Sequence, residues 1–159
     1  MTTGVIVARF QSYRLHKGHV HLIDEVIKKC NQLVICLGTT STINERNILP
    51  FHVRKEMILE LYPSAIIHEI EDHREDLSWS KNLDSILDAY ENVTLYGSRD
   101  SFISLYSGKF NYVSIPELSG MSATNERENM NIINNEDFRK GFIIGYKLSK
   151  TGSSKLFNL

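Results

Sequence analysis

Short apolar runs alternate with stretches of helical spacing along almost the whole chain. Gly4 to Arg9, centred on Val5-Ile6-Val7-Ala8, reads as a buried strand. Val20 to Cys30 then reads as a helix, with Val20, Ile23, Val26 and Ile27 on one face. Leu33 to Leu37 is a second buried strand ended by Gly38, and Thr39 to Leu49 reads as a polar loop. Phe51 to Tyr62 is a helix that Pro63 stops, and Ala65 to Ile70 is a third strand. Asp72 to Asp76 is a charged loop, and Ser78 to Tyr90 is a helix with Ser78 as its N-cap. Val93 to Tyr96, ended by Gly97, is a fourth strand; a short helix over Ser101 to Tyr106 and a fifth strand over Tyr112 to Ile115 follow. Beyond Pro116 a loop leads to two more helices, roughly Ala123 to Ile133 and Glu136 to Leu148.

Strands alternating with helices imply βαβ units and one parallel sheet covered on both faces. The expected fold is therefore α/β, a doubly wound five-stranded sheet with C-terminal helices, and 159 residues favour a single domain over 1–159. In such sheets ligands sit at the carboxyl ends of the strands, near the point where strand order reverses. The loops after the first strand and at Gly38, Asp72 and Gly97 all emerge there.

A net charge of −1 gives no global field towards nucleic acid or an anionic membrane, and neither is expected as a partner. No apolar run approaches the roughly 20 residues a membrane helix needs. Met1-Thr2-Thr3-Gly4 runs straight into a strand without a basic leader, so a cytoplasmic location is expected by default. Cys30 and Cys36 match no zinc spacing and read as small, reduced, buried hydrophobes.

The chemistry gathers first at His16-Lys17-Gly18-His19, between the first strand and the first helix. A helix N-terminus offers unpaired N–H groups and the positive end of the helix dipole. Gly18 lacks the Cβ that would hold a phosphate off the backbone, and imidazoles add donors able to carry positive charge near neutral pH. This layout suits a phosphate chain and points to nucleotide chemistry. Lys17 either lies along the phosphates or is a solvated surface lysine.

A second fragment, Ser122-Ala123-Thr124-Asn125-Glu126-Arg127, follows a Gly120-Met121 turn and opens a helix. Its hydroxyls and Arg127 can hold phosphate oxygens, arginine in a bidentate fork. Alone, it reads as a plain capped helix with a surface arginine.

Together the two fragments resemble the H-x-G-H and S-x-T-x-x-R signature of the nucleotidyltransferase superfamily. Within it the chain is most similar to nicotinamide mononucleotide (NMN) adenylyltransferases of the archaeal, phage or bifunctional-bacterial type. Ala8-Arg9-Phe10-Gln11 looks like that family's G-R-F-Q. Asn47 with Pro50-Phe51, and then Arg54-Lys55-Glu56-Met57-Ile58, look like its N-P-F segment and the helix after it. Ile70-Glu71-Asp72 followed by Trp79 looks like the loop that receives nicotinamide, and Gly97-Ser98-Arg99-Asp100 like the fourth-strand turn. The resemblance covers roughly residues 4 to 145. Three departures stand out: Ala8 replaces the usual glycine, Ser12-Tyr13-Arg14-Leu15 is two residues longer than the family's Pro-Phe, and Ile48-Leu49 interrupts the N-P-F segment.

The resemblance implies a Rossmann-like fold of the HUP type and adenylyl transfer from ATP to NMN, giving NAD⁺ and pyrophosphate. It implies catalytic roles for His16, His19 and Arg127. It puts ATP and its phosphates at Arg9, Phe10, Gln11, Lys17, Gly18, Gly97, Ser98, Arg99, Ser122 and Thr124, and NMN at Arg54, Asp72 and Trp79. Arg9 and Arg54 are open to either substrate, and Trp79 also reads as a core tryptophan. Mg²⁺ would bridge the triphosphate with few protein ligands, so no protein metal cage is expected. Asp72, His73, Glu75 and Asp76 read as a solvated loop. The family often assembles, which implies a homo-oligomer, and the tail Lys150–Leu159 would fray unless another subunit held it.

Other readings keep the reaction class and change the acceptor or base: nicotinic acid mononucleotide, phosphopantetheine, or a phosphorylated alcohol with CTP. A different class, nucleotide sensing without turnover, has less need of both histidines. Lys147-Leu148-Ser149-Lys150-Thr151 resembles the K-M-S-K-S loop of class I aminoacyl-tRNA synthetases, but the chain has no room for a tRNA-binding domain and no basic charge.

Overall fold

Five strands and three helices alternate in a computed structural model that describes residues 1–40, 47–98 and 102–117. In chain order they are β1 (Thr3–Ala8), α1 (Lys17–Ile27), β2 (Gln32–Thr39), α2 (Phe51–Leu61), β3 (Ile66–Glu71), α3 (Asp76–Leu87), β4 (Val93–Gly97) and β5 (Asn111–Ser114), with a 3₁₀ turn at Phe102–Ser104. The strands form one sheet in the order β3-β2-β1-β4-β5, with every adjacent pair parallel. This is the expected α/β, Rossmann-like doubly wound architecture. The two helices expected after residue 122 lie outside the described residues.

Alternation along the strands divides the interior into two layers. Ile6, Leu33, Ile35, Leu37 and Tyr96 face α1 and α2, where they meet Leu22, Ile23, Val26 and Ile58. Val5, Val7, Val34, Cys36, Ile70 and Leu95 face α3 and pack on Leu83 and Leu87. Both faces of β1 and β2 are covered, which is why those strands read as continuous apolar runs. Gly4 sits where α1 crosses β1: a Cβ there would lie 2.8 Å from both Val26 Cγ1 and Cys30 Sγ.

Several boundaries move. α1 begins at Lys17, three residues before its apolar periodicity, because His16 caps it. α3 begins at Asp76 with Glu75 in the N-cap position, so Ser78 lies inside the first turn and is not the cap. The expected helix over Ser101 to Tyr106 is only the short 3₁₀ turn Phe102–Ser104. Ile48 and Leu49, expected in a polar loop, are 2% and 1% exposed and pack with Tyr13, Val53 and Met57.

Burial pushes the Cys36 thiol up from 9.0 to about 12. The unfolded thiol ionises first, so its contribution to stability is complete below pH 9 and is lost as pH rises towards 12. Within that window the slope from this one group reaches about 1.4 kcal/mol per pH unit. Cys36→Ala is expected to flatten the alkaline side of the stability profile relative to the parent, as read by denaturant unfolding at successive pH values.

Candidate active site

β1 pairs with β2 as far as Ala8↔Leu37 but with β4 only as far as Ile6↔Tyr96. The sheet therefore parts between β1 and β4 beyond Ile6, at the place where strand order reverses. Such a crevice is where open α/β sheets bind ligands. The segment from Arg9 to His19 leaves β1 at this point, and Gly97-Ser98 leaves β4 opposite it. Gly97 is buried and its carbonyl accepts from the Ile115 amide at 2.8 Å, while Ser98 is half-buried.

His16 and His19 meet at the start of α1. His16 is extended (φ −90°, ψ 175°), and its Nδ1 accepts from the Gly18 amide at 3.0 Å and the His19 amide at 3.3 Å. A ring nitrogen that accepts carries no proton, so the His16 proton sits on Nε2. The two imidazoles stack with centroids 3.6 Å apart and planes at 23°. Phe10 meets the His19 ring edge-on at 4.8 Å. Both histidines are buried, at 7% and 8% exposed, and Lys17 is exposed.

This corrects one expectation. The helix N-terminus was read as offering open amides to phosphate, but the amides of Gly18 and His19 are already bonded to the His16 ring. The physical reason is that orphan amides at a helix start need an acceptor, and His16 stands in the N-cap position. What the helix end presents is a pair of fixed imidazoles and its dipole.

The strand-to-helix connection is strained where it turns. Phe10 has φ 49°, a left-handed conformation that is costly for a residue with a bulky side chain. Burial of its ring at 4% exposure holds it. On the far side of the turn, Gln11 Nε2 donates to the Leu49 carbonyl at 3.1 Å and Gln11 Oε1 accepts from the Leu49 amide at 2.8 Å. Strain of this kind, held by the surrounding packing, is found most often at functional sites.

Arg9 lies across the carboxyl edge of the sheet. Its Nη2 donates to Asp72 Oδ1 at 2.6 Å and its Nη1 to Asn47 Oδ1 at 3.2 Å, with both charged side chains 43% exposed. It crosses over Gly38, where a Cβ would lie 3.4 Å from Arg9 Cγ. Arg54 lies beneath, 2% exposed. Its Nη1 donates to the Arg9 and Gly38 carbonyls, each at 2.8 Å, and its Nε to the Leu49 carbonyl at 3.1 Å. Burial and the neighbouring Arg9 charge lower it to about 10, so it is a cation at neutral pH. These bonds make Arg54 a strut between three backbone segments.

Trp79, in the first turn of α3, is half-buried and packs against Phe102 and Tyr106 at 5.9 and 6.5 Å, on the sheet face opposite α1. Arg99, Ser122, Thr124 and Arg127 lie outside the described residues, as do the Lys147–Thr151 segment and the tail. Among the described residues no three His, Cys, Asp or Glu side chains gather as a metal ligand set, and no helix is long and apolar enough to cross a membrane.

Sequence reasoning missed two features. The sequence marks Gly38 as a strand end at the ligand edge of the sheet, but it lies inside β2 and is the backbone that the Arg9 side chain crosses. Nor was it evident that the two lengthened segments belong together: Tyr13 and Leu15 pack with Ile48 and Leu49 in one small apolar cluster. The extra residues in one loop are thus accommodated by those in the other.

The family model described as cytidylyltransferase-like matches residues 9–129. Among solved structures the chain is similar to a bifunctional NMN adenylyltransferase/ADP ribose pyrophosphatase from Francisella tularensis, solved with AMP and a manganese ion. That match has 22% identity and a TM-score of 0.68, and covers 81% of this chain and 41% of that one. It is also similar to NadR protein solved with NAD and AMP-PNP, at 18% identity and TM-score 0.58, covering 80% and 42% of the two chains. A NadR structure with NR matches at 13% identity and TM-score 0.60, covering 83% and 40%. At these identities the likeness is one of fold, and the chain spans about two fifths of the length of these structures. No curated protein matches the sequence.

Proposed function

The chain belongs to the cytidylyltransferase-like family, and from that membership we propose that it is a nucleotidyltransferase that joins the adenylyl group of ATP to NMN. An oxygen of the NMN phosphate attacks the α-phosphorus of ATP in line. The bond from that phosphorus to the bridging oxygen of the β-phosphate breaks, pyrophosphate leaves, and NAD⁺ forms. A phosphate dianion is already a competent nucleophile, so the protein supplies position and charge stabilisation and no base.

One observation carries this reading: two stacked, buried histidines at the start of α1, beside the point where β1 and β4 part. In this reading His16 and His19 stabilise the charge that builds on the α-phosphoryl group. Arg9, with Phe10 and Gln11 shaping its turn, and Lys17 and Gly18 at the helix start, flank the phosphates. Gly97-Ser98 and Arg99 approach the adenosine, and Ser122, Thr124 and Arg127 hold the leaving pyrophosphate. In the same reading Asp72, just after β3, and Trp79, in the first turn of α3, receive the pyridine ring. An aromatic ring beside a pyridinium adds a cation–π attraction of about 0.5–2 kcal/mol. Arg54 enters the reading through the backbone it holds.

Mg²⁺ prefers phosphate oxygens and water, so the triphosphate itself would hold it, and bound there it would supply charge neutralisation on the phosphates. The family description itself favours a second reading, cytidylyl transfer from CTP to another phosphate monoester.

The test is pyrophosphate release with Mg²⁺ and either ATP or CTP, comparing NMN, nicotinic acid mononucleotide and no acceptor. Release that requires ATP and NMN, with NAD⁺ formed, is the expected outcome. Silence with both pyridine acceptors, from protein that binds ATP, would sink the NMN reading, and release with CTP and another acceptor would replace it.

A further inference from the structure

Arg54 is the only lysine or arginine buried among the described residues, and no carboxylate accepts from it there. A guanidinium removed from water must have its N–H groups satisfied, and here carbonyl oxygens do so. What those carbonyls have in common is Arg9. One is Arg9's own. The second belongs to Gly38, the backbone over which the Arg9 side chain lies. The third belongs to Leu49, in the short segment whose Asn47 accepts from Arg9 Nη1. The same Leu49 is gripped by Gln11, on the other side of the left-handed Phe10.

We infer that Arg54 is the positioning residue for Arg9, fixing from the interior the three backbone points among which the Arg9 guanidinium is held at the carboxyl edge of the sheet, over β2. The inference rests on the reading of that edge as part of a phosphate site. The geometry requires arginine in particular. Nη1 serves two carbonyls and Nε a third from one rigid plane, whereas a lysine ammonium is a single point on a flexible stem. An ordinary core residue of similar bulk would fill the space but take the Arg54 donor from the Arg9 and Gly38 carbonyls and leave Gln11 alone on that of Leu49.

The experiment is a double-substitution cycle in the full chain. Arg54→Lys keeps the charge and removes the fork; Arg54→Gln serves in its place if the lysine variant does not melt cooperatively. With ATP, Mg²⁺ and the acceptor that supports turnover, kcat/KM is expected to fall roughly ten- to a hundredfold. In an Arg9→Ala background the same substitution should change it by less than about twofold, because the group it misplaces is already gone. Equal losses in the two backgrounds would overturn the inference, as would failure of both Arg54 variants to fold, which would assign the residue to the core alone. If the parent chain releases no pyrophosphate with any acceptor, the functional reading fails, and the inference is decided by nuclear magnetic resonance. In nitrogen-15-labelled protein the Arg9 Nε–H signal, identified by its loss in Arg9→Ala, should shift and broaden in Arg54→Lys. An unchanged signal would refute it.

Discussion

Replacing His16 with Asn is expected to leave stability within about 0.3 kcal/mol of the parent while turnover falls by about 10²–10³-fold. The split follows from the two tasks this side chain combines. Its Nδ1 accepts the Gly18 and His19 amides and so caps α1. Asparagine is among the best N-cap residues, and its Oδ1 can take over those two bonds. It cannot supply a second ring nitrogen or stack on His19 as His16 does at 3.6 Å. His16→Ala is the control: it loses both tasks, with about 1 kcal/mol of stability going with the cap. Thermal unfolding and pyrophosphate release on the same preparations read the two effects apart. An Asn variant that turns over normally would remove the ring from the chemistry; one as unstable as the Ala variant would remove the cap.

Gly4→Val is expected to destabilise the fold by about 3 kcal/mol, the upper end of what overpacking costs. The strand itself would favour the change, because valine suits β-structure better than glycine by up to about 1 kcal/mol. Packing wins because a Cβ at this position would lie 2.8 Å from Val26 Cγ1 and 2.8 Å from Cys30 Sγ. Val26 is β-branched and stiff in a helix, and the Cys30 thiol is committed to the Val26 carbonyl at 3.3 Å. Neither moves cheaply, so α1 must lift from β1, carrying its N-terminal histidines with it. Urea unfolding measures the loss. A Val variant as stable as the parent would show that α1 is not seated on Gly4.

The strands were legible because β1 and β2 are buried on both faces, so their apolar runs have no polar interruptions. Helix starts were less so. Lys17, Gly18 and His19 give no apolar periodicity, and α1 begins with them because the His16 ring satisfies the amides of Gly18 and His19. Ile48 and Leu49 read as the end of a polar loop that interrupts the N-P-F segment, because two of their partners, Tyr13 and Leu15, lie more than thirty positions earlier. The histidine motif could be read from four residues, since its chemistry is local. The task of Arg54 could not, because it depends on three carbonyls from separate segments, and a carbonyl leaves no mark in a sequence.

The pairing of β1 with β4 also sets the order in which the protein can assemble. Thr3 meets Val93, yet β2 and β3 lie between them in the chain. As the chain leaves the ribosome, β1 to β3 and their helices emerge before β4 has been made. That nascent half carries the histidine loop on an open sheet edge. Closing so long a loop costs entropy before any contact rewards it, which makes it a slow step. The crevice comes into being with that closure, so in the proposed reading a nucleotide that needs both sides binds only once β4 is in place and holds the pair shut by mass action. In the proposed reading, substrate acts as a fastener on the least local strand pair among the described residues.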